Sequence, residues 1–168
     1  RKSFIEDLNL KAEKIHGDIS ANKESLKIEY KESVDYSNFY KKMVKNRDKD
    51  IFYGNTCVGI HKDDMVFYIN GNNARDYASQ GQQRTAALSL KLSEIYLVKE
   101  KIKDTPILLL DDVLSELDSN RQTYLLDSIH DIQTLITCTG LDDFVSHQFE
   151  INRVFQVVKG HVYMPKGF

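Results

Sequence analysis

Residues 107 to 118 read ILLLDDVLSELD, and the fold turns on them. Four aliphatic residues, Ile107 to Leu110, run straight into the paired carboxylates Asp111 and Asp112. An unbroken aliphatic run is the pattern of a central parallel strand covered on both faces. The acidic pair then stands at the carboxyl end of that strand, where the ligands of α/β sheets collect. Adjacent carboxylates repel, so the pair needs a cation, hydrogen-bond donors or ample water. A carboxylate in this place can hold Mg²⁺, usually through water, while its neighbour orients or deprotonates an attacking water. Ending the strand and capping the next turn explains the same pair without any ligand.

Downstream, Asp118, Ser119 and Asn120 are capping residues for a helix through Tyr124, Leu125 and Ile129. TLITCT, residues 134 to 139, reads as a second buried strand with Thr137, Cys138 and Thr139 at its tip. If the two strands are neighbours, a hydroxyl of that tip faces the same crevice and could touch a phosphate or water. Hydroxyls tied into a turn are the alternative. Upstream, SQGQQR (79 to 84) opens a helix to about Lys101. Its first half, TAALSLKL, is apolar around so much of its circumference that burial is expected. Ser79 can cap this helix, and Gly81 leaves the backbone open to an anion, which helix N-termini attract. A plain N-cap accounts for Ser79 alone, but less well for the polar Gln82-Gln83 pair before so apolar a helix.

The other segments fill out an α/β pattern. Phe4, Ile5, Leu8, Ala12 and Ile15 recur at helical spacing, with His16-Gly17 as a stop. SLKIEY (25 to 30) alternates as a half-buried strand does. Tyr36, Phe39, Tyr40, Met43 and Val44 follow the period of an amphipathic helix, whose other side carries Lys41, Lys42, Lys45 and Lys49 as a solvated face. MVFYINGNNARDYA (65 to 78) reads as a strand, a turn at Asn70-Gly71 and a short return. A polar loop follows residue 140, and VFQVVKGHVYM (154 to 164) reads as a closing hairpin. Strand, helix, strand with short joins argues for an α/β sheet.

Bulk properties exclude more than they assign. A chain of 168 residues, 41% hydrophobic and 29% charged, fits one globular domain of ordinary size. No apolar run approaches 18 residues, so no membrane span is expected. The chain opens on Arg1 rather than Met, which suggests a piece of a longer protein. Cys57 and Cys138 stand far apart in no metal-ligand spacing, and a reducing, cytoplasmic setting is the simplest reading. The five histidines form no ligand spacing either, which argues against simple metal-hydrolase chemistry. A formal charge of −2 gives no bulk argument for nucleic-acid binding.

Three chemical corners in this order resemble the second half of an ABC-type ATPase head: signature motif, Walker B strand, D-loop and switch strand. More narrowly, the chain resembles the RecF family of recombinational repair proteins. The residues that carry the resemblance are GIHKDD (59 to 64), FYING (67 to 71), SQGQQRTAALSLKLSEI (79 to 95) and LLLDDVLSELDSNRQTYLL (108 to 126). The likeness spans nearly the whole chain and is weakest before residue 25 and after 140. Two departures stand out. The family typically has Gly-Pro-His-Arg-Asp-Asp where this chain has Gly59-Ile60-His61-Lys62-Asp63-Asp64. The family's phosphate loop, G-x-x-x-x-G-K-[ST], occurs nowhere in the chain.

The resemblance implies the C-terminal half of such a protein: residues 1–16 the end of a helical arm, and 17–168 the C-terminal part of the ATPase head. It implies Asp111 as the Mg²⁺-side carboxylate and Asp112 at the place of the catalytic acid. It implies Ser79, Gln80, Gly81 and Gln82 at the ATP of the other subunit, and Thr139 at the nucleotide from the switch strand. Ser115, Glu116, Leu117 and Asp118 would form the D-loop at the dimer interface. The whole protein would hydrolyse ATP slowly, as a switch, and this chain by itself would not. ATP-dependent homodimerisation, DNA at gap boundaries, and work with RecR and RecO to load RecA are the partners implied. Two further readings stand beside it: a docking module for a partner such as RecR without nucleotide activity, and a half-head of an SMC, Rad50 or OLD-type ATPase. Ser115-Glu116-Leu117-Asp118 argues against the last.

Overall fold

The computed structural model describes residues 1–140 and 151–165. The polar loop expected after residue 140 falls largely at 141–150, outside the described residues. The chain divides into two compact units, Arg1–Asp104 and Thr105–Phe168.

The first unit is built on two helices and a three-stranded antiparallel sheet. Helix α1 (Lys2–Ile19) turns Ile5, Leu8, Ala12, Ile15 and His16 inward. It runs three residues past the expected stop at His16. A single Gly17 costs a helix only about 1 kcal/mol, and the buried His16 anchors the last turn, its carbonyl accepting the Ser20 N–H. Strand β1 (Leu26–Lys31) pairs with β2 (Asp64–Ile69), and β2 with the two-residue β3 (Asn72–Asn73). The β2–β3 turn is Asn70-Gly71 as expected, with φ of 50° and 79°. Left-handed backbone at both positions is what a two-residue hairpin demands, and Asn-Gly supplies it at least cost. Asn9 of α1 ties helix to sheet, its side-chain oxygen accepting the Ile28 N–H at 2.6 Å.

After a short helix α3 (Ala74–Tyr77), helix α4 (Gln80–Ile102) forms the spine of the unit. Leu88, Leu92, Ile95 and Leu97 are buried along it, and so are Thr85, Ser89 and Ser93. The hydroxyls of all three bond back to carbonyls of their own helix, at Gly81, Thr85 and Leu90. Each donor is therefore satisfied without leaving the helix, and a polar side chain can enter the core cheaply. Ile5, Leu8, Leu26, Ile28, Ile69, Ala86 and Leu97 pack into one cluster.

Helix α2 (Phe39–Tyr53) forms where its period predicts, yet buries no residue. Tyr40, Met43, Val44 and Ile51 are exposed along with the lysines, so the apolar side expected to face a core has no cover among the described residues.

The second unit holds a parallel pair, β4 (Leu108–Asp111) and β5 (Thr134–Thr137), in the register Leu108↔Thr134 to Asp111↔Thr137. Between them in sequence, α5 (Ser119–Ser128) buries Gln122, Leu125 and Leu126. Coverage of this pair is one-sided, contrary to the expectation from its aliphatic run. Leu108 and Leu110 are half-buried, whereas Leu109 is 72% and Leu135 56% exposed. Successive strand residues face opposite ways, so one face of the pair has no cover among the described residues. The closing hairpin is β6 (Gln156–Val158) and β7 (His161–Tyr163), turned at Lys159-Gly160 with both φ positive.

Candidate functional site

The acidic corner is a strand end held open by a threonine. Asp111 is the last residue of β4 and pairs in register with Thr137, the last residue of β5. The Thr137 hydroxyl donates to Oδ1 of Asp111 and accepts the Asp112 N–H at 3.0 Å. The same N–H lies 3.2 Å from the Thr137 carbonyl, so it is shared between two acceptors of one residue. Asp112 then leaves the strand with φ at 50°, a left-handed backbone that Asp and Asn adopt more readily than most side chains. Both carboxylates are exposed, that of Asp111 accepting from Thr137 across the strand pair. The repulsion noted in the sequence is met by a donor on Asp111 and by water on both.

Among the described residues no three His, Cys, Asp or Glu side chains cluster to hold a metal ion. Two carboxylates at a strand end, one of them with an oxygen clear of Thr137, nevertheless suit Mg²⁺. That ion is commonly held by one or two carboxylates, with waters and substrate phosphates completing its octahedron.

The segment after Asp112 folds back on it. Ser115 Oγ donates to the Asp112 carbonyl at 2.9 Å, opening a 3₁₀ turn over Leu114–Glu116 that buries Leu114. Ser115 and Glu116 face solvent and Leu117 is half-buried. Asp118 caps α5, accepting the Arg121 N–H at 3.1 Å, and pairs with the Arg121 guanidinium. Gln122 reaches back from α5 to the Leu114 carbonyl at 2.9 Å, which locks the turn onto the helix. Thr139 lies exposed beyond the end of β5. The hydroxyl that meets the aspartates belongs to Thr137, two residues earlier. The strand register, which the sequence does not print, selects it.

The Ser79 corner, in the first unit, is a capping box. Ser79 Oγ accepts the Gln82 N–H at 3.3 Å while Gln82 Oε1 accepts the Ser79 N–H at 2.9 Å. Both side chains satisfy amides that the first turn of a helix leaves open. Gln82 also donates through Nε2 to Glu24 Oε1 at 2.9 Å, and Gln83 donates to the carbonyls of Ala74 and Ala78. The two glutamines therefore brace the turn rather than reach outward. Gln80 is exposed as the first helical residue, and Gly81 takes the second position.

A fourth place, GIHKDD, left without a role by the sequence, is tied to β1. Asp63 accepts from the Tyr30 hydroxyl and, at 2.8 Å, from the Ser33 N–H. These donors, the Tyr30 hydroxyl foremost, hold its carboxyl below the usual carboxylate range and push the Tyr30 phenol up. Gly59 has φ of 151°, and a Cβ there would meet the His61 ring at 2.9 Å, so glycine is required on both counts. His61 in turn holds the Thr56 carbonyl at 2.8 Å. Among the described residues no helix is long and apolar enough to cross a membrane.

No protein-family model matches the chain. Curated relatives match it closely. The DNA replication and repair protein RecF of Lachnospira eligens is 57% identical over 162 residues, covering 96% of this chain and 45% of that protein. Proteins of the same name from Agathobacter rectalis and Lachnoclostridium phytofermentans are 54% and 53% identical over the same length. Two solved structures of the recombination mediator protein RecF in the RecFOR pathway, RecF-ATPrS and RecF-ATP, superpose with TM-scores of 0.78 and 0.77. They are 36% and 37% identical to this chain, and cover 96% and 98% of it. The mixed helix and strand fold, with a parallel pair and flanking helices, is thus that of part of a RecF ATPase head. The chain spans somewhat under half the length of the relatives it matches, 45% for each of these three proteins. Matched over nearly all of its length in both sequence and fold, the chain belongs to the RecF family of DNA replication and repair proteins.

Proposed function

We propose that this chain is the C-terminal half of an ATP-switched DNA-repair protein, with residues 1–16 ending a helical arm and 17–168 completing the head. Two such proteins close on each other around ATP, and the dimer holds DNA at the boundaries of single-strand gaps. It works with RecR and RecO to load RecA in the cytoplasm. The observation that carries this reading is the strand-end geometry at Asp111, Asp112 and Thr137. Asp111 and Asp112 stand exposed at the end of β4, the Thr137 hydroxyl donates to Asp111, and Asp112 leaves the strand with a left-handed φ.

In this reading Asp111 lies on the Mg²⁺ side, and the Thr137 hydroxyl fixes its rotamer. Mg²⁺, when bound, neutralises phosphate charge as it develops. Asp112 accepts a proton from the attacking water or orients it. Its carboxylate has a short reach, which suits a slow switch better than a fast motor. Ser79 presents its hydroxyl, and Gln80, Gly81 and Gln82 the turn around it, to the γ-phosphate of ATP on the partner subunit. Ser115, Glu116, Leu117 and Asp118 form the loop crossing the interface, with Ser115 and Glu116 exposed to meet the partner. Thr139 follows the switch strand toward the nucleotide. The phosphate loop must come from outside this chain, so these residues act only in the full-length protein.

The test is Ser79→Arg in the full-length protein. A bulky cation at the capping position blocks the partner's phosphate but leaves each subunit's own nucleotide untouched. ATP-dependent dimers should vanish in sedimentation velocity while ATP binding by the monomer stays close to normal. Persistence of the dimers would show that Ser79 does not face a partner's nucleotide.

A further inference from the structure

His16, on α1, is fully buried, a costly place for an imidazole unless its nitrogens are used. Its Nδ1 lies 3.3 Å from Ser89 Oγ on α4. The Ser89 hydroxyl already donates to the Thr85 carbonyl at 2.7 Å, which leaves its oxygen to accept an Nδ1–H. On the other side, Nε2 lies 3.3 Å from Oε2 of Glu24, in the loop between α1 and β1. The second oxygen of Glu24, Oε1, accepts from Gln82 Nε2 at 2.9 Å. Gln82 is the residue whose side-chain oxygen holds the Ser79 N–H. One carboxylate, 23% exposed, therefore lies beside His16 of α1 without hydrogen-bonding to its Nε2, and accepts from Gln82 of the turn that Ser79 opens.

We infer that Glu24 is a positioning residue for the signature corner. It fixes the Gln82 amide so that its oxygen faces the Ser79 N–H, and thereby sets the angle at which Ser79 is presented to a partner's nucleotide. Without this carboxylate the Gln82 amide is free to rotate, the capping box loses one of its two bonds, and the turn relaxes. A capping box needs only Ser79 and Gln82; Glu24 is superfluous to capping and ties the turn to the loop after α1. This inference rests on the proposed role of Ser79.

The experiment uses full-length protein carrying Glu24→Ala, Glu24→Gln, Gln82→Ala or Ser79→Arg. ATP affinity of the dilute monomer, ATP-dependent dimerisation and Tm are measured for each. Glu24→Ala and Gln82→Ala should each weaken dimerisation, about tenfold per composite site and so on the order of a hundredfold for a dimer with two. Monomer ATP affinity should not move. Combining the two substitutions should add little, because they break one chain of bonds. Glu24→Gln is the discriminating variant. Its amide oxygen still accepts from Gln82, so dimerisation should be largely retained where Glu24→Ala loses it. A purely structural Glu24 would lose dimerisation in step with Tm in both variants, and that result overturns the inference. Glu24→Ala that dimerises like the parent, with Ser79→Arg monomeric, also overturns it and leaves the role of Ser79 standing. If Ser79→Arg itself still dimerises, the role of Ser79 fails and the inference with it.

Discussion

Asp112→Asn in the full-length protein separates chemistry from architecture, because the backbone at this position limits which substitutions are informative. With φ at 50°, Asp112 occupies a left-handed region that costs an ordinary L-residue about 1–2 kcal/mol. Asn tolerates that region as Asp does. It also keeps the backbone N–H that Thr137 holds and the carbonyl that accepts from Ser115, since both contacts are main-chain. Folding should therefore be nearly unchanged. What is lost is the carboxylate, which alone can take a proton from the attacking water or orient it by charge. General-base assistance contributes about 10² to 10⁴ in rate. At 1.36 kcal/mol for each tenfold, that is about 2.7–5.4 kcal/mol of barrier. Single-turnover ATP hydrolysis should fall by that factor with the ATP dissociation constant little moved, so ATP-bound dimers accumulate. Asp112→Ala should show the same kinetic loss and, in addition, a lower Tm from the left-handed backbone. Asp111→Asn should weaken binding and hydrolysis together, since it removes a metal-side charge. Equal effects of the two Asn substitutions on binding and rate would refute the division of roles. A fall in Tm with unchanged kinetics would refute the catalytic reading altogether.

Thr137→Val deletes the hydroxyl shared by the two aspartates; loss of exposed hydrogen bonds of this kind costs about 1 kcal/mol. If that cost falls on the catalytic arrangement, hydrolysis slows about fivefold, and an unchanged single-turnover rate would show that Thr137 does not set the corner. At the GIHKDD segment, the lowered Asp63 carboxyl stabilises the fold above the unfolded carboxylate value, near 4, and loses that contribution as pH falls through its folded value. Tyr30→Phe should therefore lower Tm at pH 7, with the gap to the parent closing below about pH 4. A gap that is constant with pH would assign the loss to packing.

Much of this was legible from residue order because local rules and tertiary packing agree. The Ser79 cap, the Asn70-Gly71 hairpin, the Asp118 cap and the closing hairpin each rest on side-chain chemistry within four residues, whereas Gln82, read as more than capping requires, proves to be the other half of Ser79's capping box. What was not legible depends on partners distant in sequence. The continuous run Ile107 to Leu110 implies cover on both faces, yet Leu109 and Leu135 stand exposed, as does the apolar side of α2. A hydrophobic pattern records that a face is meant to be covered but not by what. Which hydroxyl of the 137 to 139 tip meets Asp111 was open in the sequence, because only the β4–β5 register places Thr137 opposite it. Glu24 and His16 escaped notice for the same reason, since 58 residues separate Glu24 from Gln82 and 73 separate His16 from Ser89. His16-Gly17 read as a helix stop because the glycine was visible and the burial of the histidine was not.

The central claim is that each nucleotide is served by Asp112 of one subunit and Ser79 of the other, and a mixing experiment tests it most directly. Full-length Ser79→Arg and Asp112→Asn proteins are each expected to be inactive in ATP hydrolysis. They are combined at concentrations where sedimentation shows mixed dimers. One of the two sites in such a dimer unites an intact Asp112 with an intact Ser79, while the other carries both defects. Hydrolysis should therefore reappear on mixing and approach half the parental rate per mixed dimer. Mixed dimers that hydrolyse no more ATP than the two variants measured apart would contradict the shared site.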